Sequence, residues 1–329
     1  MRPWIDAVLL SKPAAIKLGE FTFRETAYGV VKRLRFVVQH VEQERTRLGL
    51  APNEVRILDF GCGTGTYVTI PLAKIGYNMI GIDIDPASVE RARENVSSTG
   101  APEIEFHCGP IQETNYQPFH IAICSEVLEH QPKPEEQMQL LRQALTDDGL
   151  LIVTAPNGLG YYELENTTTK RFSNLATRLD RYERRFVRRF GSEQLRHRHL
   201  IEYGGLDSER DRQRNRLEQS TLATNQIHYQ RFSPKSISQL IVNQGFKILE
   251  FRNNTFLASN VVNVCIRSAD SLLYINGRIA DFLPKHMASD WLVAAQKVKS
   301  TALGPAVTIS TVEHTRQPAA CVIFKWLAQ

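Results

Sequence analysis

Between Arg56 and Asp83 the chain reads RILDFGCGTGT, then a further apolar stretch, then NMIGID. Ile57-Leu58-Asp59-Phe60 is a short apolar run cut off by Gly61, Gly63 and Gly65, the pattern of a buried parallel strand that opens into a ligand-binding loop. Glycine suits that loop because it takes positive φ freely and lets a ligand approach the backbone. The second apolar run ends at Asp83, where a nucleoside-binding α/β sheet presents a carboxylate to ribose hydroxyls. The stretch therefore reads as a nucleoside site.

Spacing narrows the nucleoside. A dinucleotide fingerprint wants G-x-G-x-x-G, but here the third glycine arrives one place early, at Gly65, and Thr66 stands where the fingerprint wants glycine. A pyrophosphate cradle is thereby disfavoured, and the absence of Gly-Lys-Ser/Thr after the loop excludes a P-loop. Asp59, just before the glycines, suits a cationic ligand that carries an amino acid better than a polyanion.

Along the chain, apolar residues at helical spacing from Glu25 to Leu48 predict an amphipathic helix, broken at Pro52-Asn53. Thr66–Ile75 follows the loop as a crossover helix, Met79–Ile82 is the second strand, and DPASVERAREN starts a helix with Asp85 as cap. Glu103–Cys108, His120–Cys124 and Gly149–Ala155 follow as strands, the last introduced by a turn at Asp147-Asp148-Gly149. Strand and helix in alternation give a parallel sheet. Ligands bind such sheets outside the carboxyl ends of the strands, which puts CSEVLEH and the APNG loop at the active edge. One helical turn would gather Glu126, Glu129 and His130, either as ligands of a divalent cation or as groups that bond the backbone and shape the pocket; no metal is assigned. After APNG, Tyr161, Tyr162, Glu163 and Asn166 are candidate acceptor contacts. Ser233-Pro234 then starts a helix, Gly245 stops it, and Phe246–Phe251 is the sixth strand. Asn260–Lys299 reads as helices, and Ala319–Trp326 as a final strand.

The D-x-G-x-G-x-G arrangement around Asp59 resembles motif I of the class I S-adenosylmethionine-dependent methyltransferases. CSEVLEH with its following Pro132 and Pro134 is similar to the corresponding segment of ubiquinone-biosynthesis-like O-methyltransferases. The resemblance covers Arg56–Asn157 well, and Tyr229–Arg252 and the last strand loosely. It implies a Rossmann-like, doubly wound, mostly parallel seven-stranded sheet with an antiparallel last strand and helical insertions. It implies S-adenosylmethionine as cofactor, with Asp59, Gly61, Gly63 and Gly65 at its methionine part, Asp83 and Ile84 at ribose and adenine, and Ser125 and Glu126 along its edge. Cys108-Gly109-Pro110 lacks the acidic residue that many relatives offer the adenine amine, which leaves the backbone near Ile111. His228 and Arg231 are expected to return to the acceptor pocket. Imidazole titrates near neutral pH, so His130 and His228 are the candidate catalytic bases for a hydroxyl acceptor, with Tyr161, Tyr162 and Arg231 as substrate contacts.

These readings divide the chain into 1–52, an N-terminal helical cap; 53–160, the cofactor-binding core; 161–224, an Arg-rich insertion; 225–260, the core resumed; 261–317, a helical insertion; and 318–329, the last strand. Between Lys170 and Arg231 there are 15 Lys and Arg against 8 Asp and Glu, a net +7 in a chain of net +5. Such a segment is a solvated face, a grip on an anionic small substrate, or a nucleic-acid contact. The first is favoured, and nucleic acid is disfavoured. The five cysteines form no C-x-x-C pair and no zinc spacing, as in a reducing compartment. No signal peptide or membrane-spanning run is recognised, so a cytoplasmic enzyme is expected, with 261–317 available for homo-oligomer contacts. The small-molecule methyltransferase reading has two rivals, an RNA-modifying methyltransferase and a non-catalytic interaction module on the same fold.

Overall fold

A computed structural model describes residues 15–18, 21–99, 104–114, 116–160, 170–191, 228–266 and 269–299. The chain divides into two compact units, Met1–Val298 and Lys299–Gln329, and the main sheet belongs to the first. Ala15–Leu18 (β1) pairs antiparallel with Phe21–Arg24 (β2), so the N-terminal cap, expected to be helical, contains a small sheet of its own. The leading helix (α1) runs Val30–Leu48 and starts later than Glu25, with Gly29 as its N-cap residue. The Glu25 carboxylate accepts from the backbone N–H groups of Val31 and Lys32, two of the donors a helix start leaves unpaired.

The middle of the main sheet is Arg56–Phe60 (β3), followed by a short helix, Thr69–Ile75 (α2), then Asn78–Asp83 (β4) and Pro86–Thr99 (α3). The crossover helix loses the first turn that its sequence suggested, since Thr66–Val68 remain in the turn that follows the glycines. Glu105–Cys108 (β5), Phe119–Ser125 (β6), Pro134–Ala144 (α4) and Leu145–Pro156 (β7) complete the parallel part. The turn expected at Asp147-Asp148-Gly149 lies inside β7 as an irregularity, with Asp148 at φ 60° and a register shift between Phe119 and Ile121 on β6.

Beyond Lys170–Phe190 (α5) come Pro234–Asn243 (α6), Phe246–Asn253 (β8), Asn260–Ile266 (α7), Asp270–Phe282 (α8) and Asp290–Lys297 (β9). The order across the sheet is β5-β4-β3-β6-β7-β9-β8, and β9 runs antiparallel to both neighbours. The helical reading of 260–299 is corrected here: WLVAAQK is a strand. The first six residues of β9, Asp290–Ala295, are all buried, so it shows neither the alternation of a half-exposed strand nor a polar helical face. The seven strands are complete with β9, while Ala319–Trp326 lies outside the described residues.

Alternation along the strands sends side chains to two apolar layers. Ile57, Ile121, Ile123 and Ile152 pack with Val31, Leu34 and Leu72 of α1 and α2. Leu58, Ala122, Leu151 and Val153 pack with Met138 and Leu141 of α4 and Ile237 and Ile241 of α6. Both faces are thus covered, and polar groups find room at the carboxyl ends of the parallel strands. No helix among the described residues is long and apolar enough to cross a membrane.

Candidate active site

The loop after β3 takes its shape from its glycines. Gly61 and Gly63 sit at φ 76° and 53°, a region that costs other residues free energy. At Gly61 a Cβ would lie 2.4 Å from Cγ2 of Val127, so the loop there is pressed against the segment after β6. At Gly63 a Cβ would meet no protein atom within 4 Å, so the crest of the loop faces open space. The loop is pinned to β4: Gly61 N and Cys62 N donate to the Ile82 carbonyl at 2.8 and 3.0 Å, and Gly63 N donates to Oδ2 of Asp83 at 2.8 Å. Asp83 also accepts from Asp85 N at 2.9 Å. Burial raises the Asp83 pKa.

Asp59 lies beneath the loop, only 3% exposed, and accepts from Thr69 Oγ1 at 2.5 Å. Burial first, and the nearby Asp83 charge second among the raising causes, push its pKa up to about 7. Beside Asp83, Ile84 is 71% exposed, an apolar surface at the carboxyl end of β4. Ile111, by contrast, buries its side chain in the core.

The segment after β6 departs from the helical turn expected for it. Glu126 has φ 56°, an uncommon backbone for a non-glycine residue, and only Leu128–His130 form a short 3₁₀ turn. Glu126 does not join the group that Glu129 and His130 form. Its Oε1 accepts from Thr154 Oγ1 at 2.7 Å and lies 3.3 Å from Nη2 of Arg33, while Ser125 Oγ and Thr154 Oγ1 share a hydrogen bond at 2.9 Å. Arg33 comes from α1 and was missed in the sequence. Burial works against its charge, but Glu126, Asp290 and Glu129 outweigh it and hold the guanidinium protonated.

Glu129 and His130 gather instead with His228. The segment before α6 crosses the edge with Gln230 N donating to the Glu129 carbonyl at 3.0 Å and the Gln230 side chain to the Gln131 and Pro132 carbonyls. The imidazoles of His130 and His228 meet edge to face at 4.8 Å between centroids, and His130 Nε2 stands 3.7 Å from the Glu129 carboxylate. One donor atom from each of the three lies within 4.8 Å of the others, a nitrogen and oxygen set that a divalent transition metal accepts. Arg231 packs its backbone against Gly158 of the APNG loop, where a Cβ would come 2.5 Å from it, and leaves its side chain exposed. Tyr161 and Tyr162 lie outside the described residues, as do Glu163 and Asn166.

Against known proteins, residues 32–250 match a family model described as a methyltransferase domain. The ubiquinone biosynthesis O-methyltransferase of Caulobacter sp. (strain K31) is 29% identical over 118 residues, which is 35% of this chain and 46% of that protein. A 23S rRNA (uracil(1939)-C(5))-methyltransferase of Shewanella sediminis is 41% identical over 66 residues, 20% of this chain and 14% of that one. The chain thus spans about half the length of the ubiquinone biosynthesis O-methyltransferases it matches, 46% in the Caulobacter case. Among solved structures, an S-adenosylmethionine-dependent methyltransferase from Clostridium acetobutylicum resembles it at TM-score 0.45 and 11% identity, over 82% of this chain and 92% of that one.

Proposed function

We propose, given that this chain belongs to the methyltransferase domain family and that S-adenosylmethionine is its cofactor, that it methylates a hydroxyl of a small-molecule acceptor. The observation that carries this reading is the open crest at Gly63 above a carboxylate pair, Asp59 and Asp83, with two imidazoles across the same edge. Asp83 and Ile84 suit ribose and adenine, and Asp59 suits the cationic methionyl end. Arg33, beside Glu126, suits the carboxylate of that end. When bound, the cofactor supplies a methyl group already activated by its positive sulfur, so the protein's task is orientation and exclusion of water.

His130 and His228 are placed to take the proton of a hydroxyl acceptor. A metal held by Glu129, His130 and His228 would lower the acceptor's pKa instead. Calorimetry with S-adenosylmethionine, followed by an acceptor screen with labelled methyl group, tests the reading; no heat of binding would leave a non-catalytic module. Turnover unchanged in chelator removes the metal.

A second reading has one observation in its favour. Helix α5 exposes Tyr182, Phe186 and Phe190 in a line beside Arg181, Arg185 and Arg189, with the Arg189 guanidinium 5.3 Å from the Phe190 ring centroid. Arginine and aromatic side chains together suit RNA. A binding constant for RNA that falls steeply with salt supports that acceptor, and a flat one removes it.

A further inference from the structure

The last strand brings a carboxylate to the active edge by virtue of its direction. Because β9 is antiparallel, its first residue, Asp290, pairs with Pro156 at the carboxyl end of β7. Asp290 is 5% exposed, and its carboxylate is held by more than Arg33: Asn254 Nδ2 donates to Oδ2 at 2.6 Å, and Thr255 N and Oγ1 donate to Oδ1 at 3.2 and 2.7 Å. Arg33 Nη2 completes the set at 3.3 Å from Oδ2. A buried carboxylate with four donors has little freedom to turn. A guanidinium is planar, so with one end carried by its own side chain and Nη2 held at Asp290, the direction of its other donors is restricted. One of these, Nε of Arg33, is buried and has no hydrogen-bond partner in the protein, an arrangement that calls for an acceptor from outside.

We propose that Asp290 is a positioning residue for cofactor binding: it sets the plane of Arg33 so that the guanidinium meets the carboxylate at the methionyl end. The inference rests on the cofactor reading. Asp290 itself touches no ligand; it acts through Arg33, as Asn254 and Thr255 act on it. Glu126 is the weaker determinant of that plane, since it meets Arg33 as an ion pair at 3.3 Å without the hydrogen bond that Asp290 accepts.

The test compares two ligands in the full chain by calorimetry. S-adenosylhomocysteine carries the amino-acid carboxylate, and methylthioadenosine keeps the nucleoside and thioether without it. Asp290→Asn is expected to weaken S-adenosylhomocysteine about tenfold and leave methylthioadenosine within about twofold. Arg33→Gln should show the same contrast, and adding Asp290→Asn to it should cost nothing further, because the two act as one unit. Equal losses for both ligands, no loss for either, or losses that multiply in the double variant would overturn the proposal. Should Asp290→Asn not fold, Thr255→Val removes one donor to the carboxylate and keeps the charge. It is expected to cost S-adenosylhomocysteine about threefold and methylthioadenosine nothing, and unchanged affinity for both overturns the proposal. Wild-type protein that binds neither ligand strikes at the cofactor reading itself.

Discussion

Asp59 should make cofactor binding depend on pH through the physiological range. Its carboxylate lies under the glycine loop with a pKa of about 7, raised chiefly by burial, so near neutrality half of the free protein holds it protonated. A cationic methionyl end favours the ionised form, so binding releases a proton below that pKa and gains affinity as pH rises. With the ionised fraction as the only variable, the apparent affinity should fall roughly tenfold between pH 8 and pH 6 and change little above pH 8. Titration calorimetry with S-adenosylmethionine at several pH values measures this directly, and repeating it in buffers of different ionisation enthalpy counts the proton. Asp59→Asn should bind more weakly at pH 8 and show a flat profile. The variant matters because other ionisable groups share the edge, and only a slope lost with Asp59 belongs to it. A flat wild-type profile, or a slope that survives Asp59→Asn, refutes the reasoning.

The two loop glycines should fail in different ways. Gly61→Ala forces a Cβ into Val127 at a positive φ and should cost on the order of 1–3 kcal/mol of stability, read as a lower melting temperature. Gly63→Ala meets no protein atom and should melt within a few degrees of wild type; if the open crest receives the cofactor, it should also lose affinity for it. Burial pushes the Glu25 pKa up to about 6, so the folded state binds a proton more tightly than the unfolded one. Stability contributed by this group is therefore fully present below about pH 4.5 and lost as pH rises through 6, a span of about 2 kcal/mol. Glu25→Gln should remove that slope from the difference between wild-type and variant denaturation curves, and identical curves would show that Glu25 does not titrate there. If an imidazole is the base, His130→Gln or His228→Gln should lower turnover of a hydroxyl acceptor by about 10²-fold while leaving cofactor affinity intact.

The glycine loop and its link to Asp83 were legible because they are local. Asp59, the three glycines and Asp83 lie on two adjacent strands and one loop, and their spacing carries the geometry with it. His130 and His228 were legible as residue types, but their meeting depends on how the segment before α6 crosses the edge. Arg33 was hidden for a physical reason: it stands among Lys32 and Arg35 on one helix, and only the docking of α1 decides which of the three points inward. Glu126 misled for another, since an i, i+3, i+4 pattern implies a helical turn that its positive φ does not make. Asp290 was least legible of all. A short apolar run fits a buried strand and a buried helix alike, and the helical reading of WLVAAQKV concealed the carboxylate at its start.

The insertion of β9 between β7 and β8 has a consequence during synthesis. Until the ribosome has made residues on the order of a hundred positions downstream of β7, that strand presents an open edge, and β8 emerges with no neighbour on its inner side. The glycine loop can form early, but the Asp290 anchor arrives only when the sheet is closed. A nascent chain therefore carries the glycine loop before Arg33 has its Asp290 partner, and completion of the sheet and formation of that pair become one event.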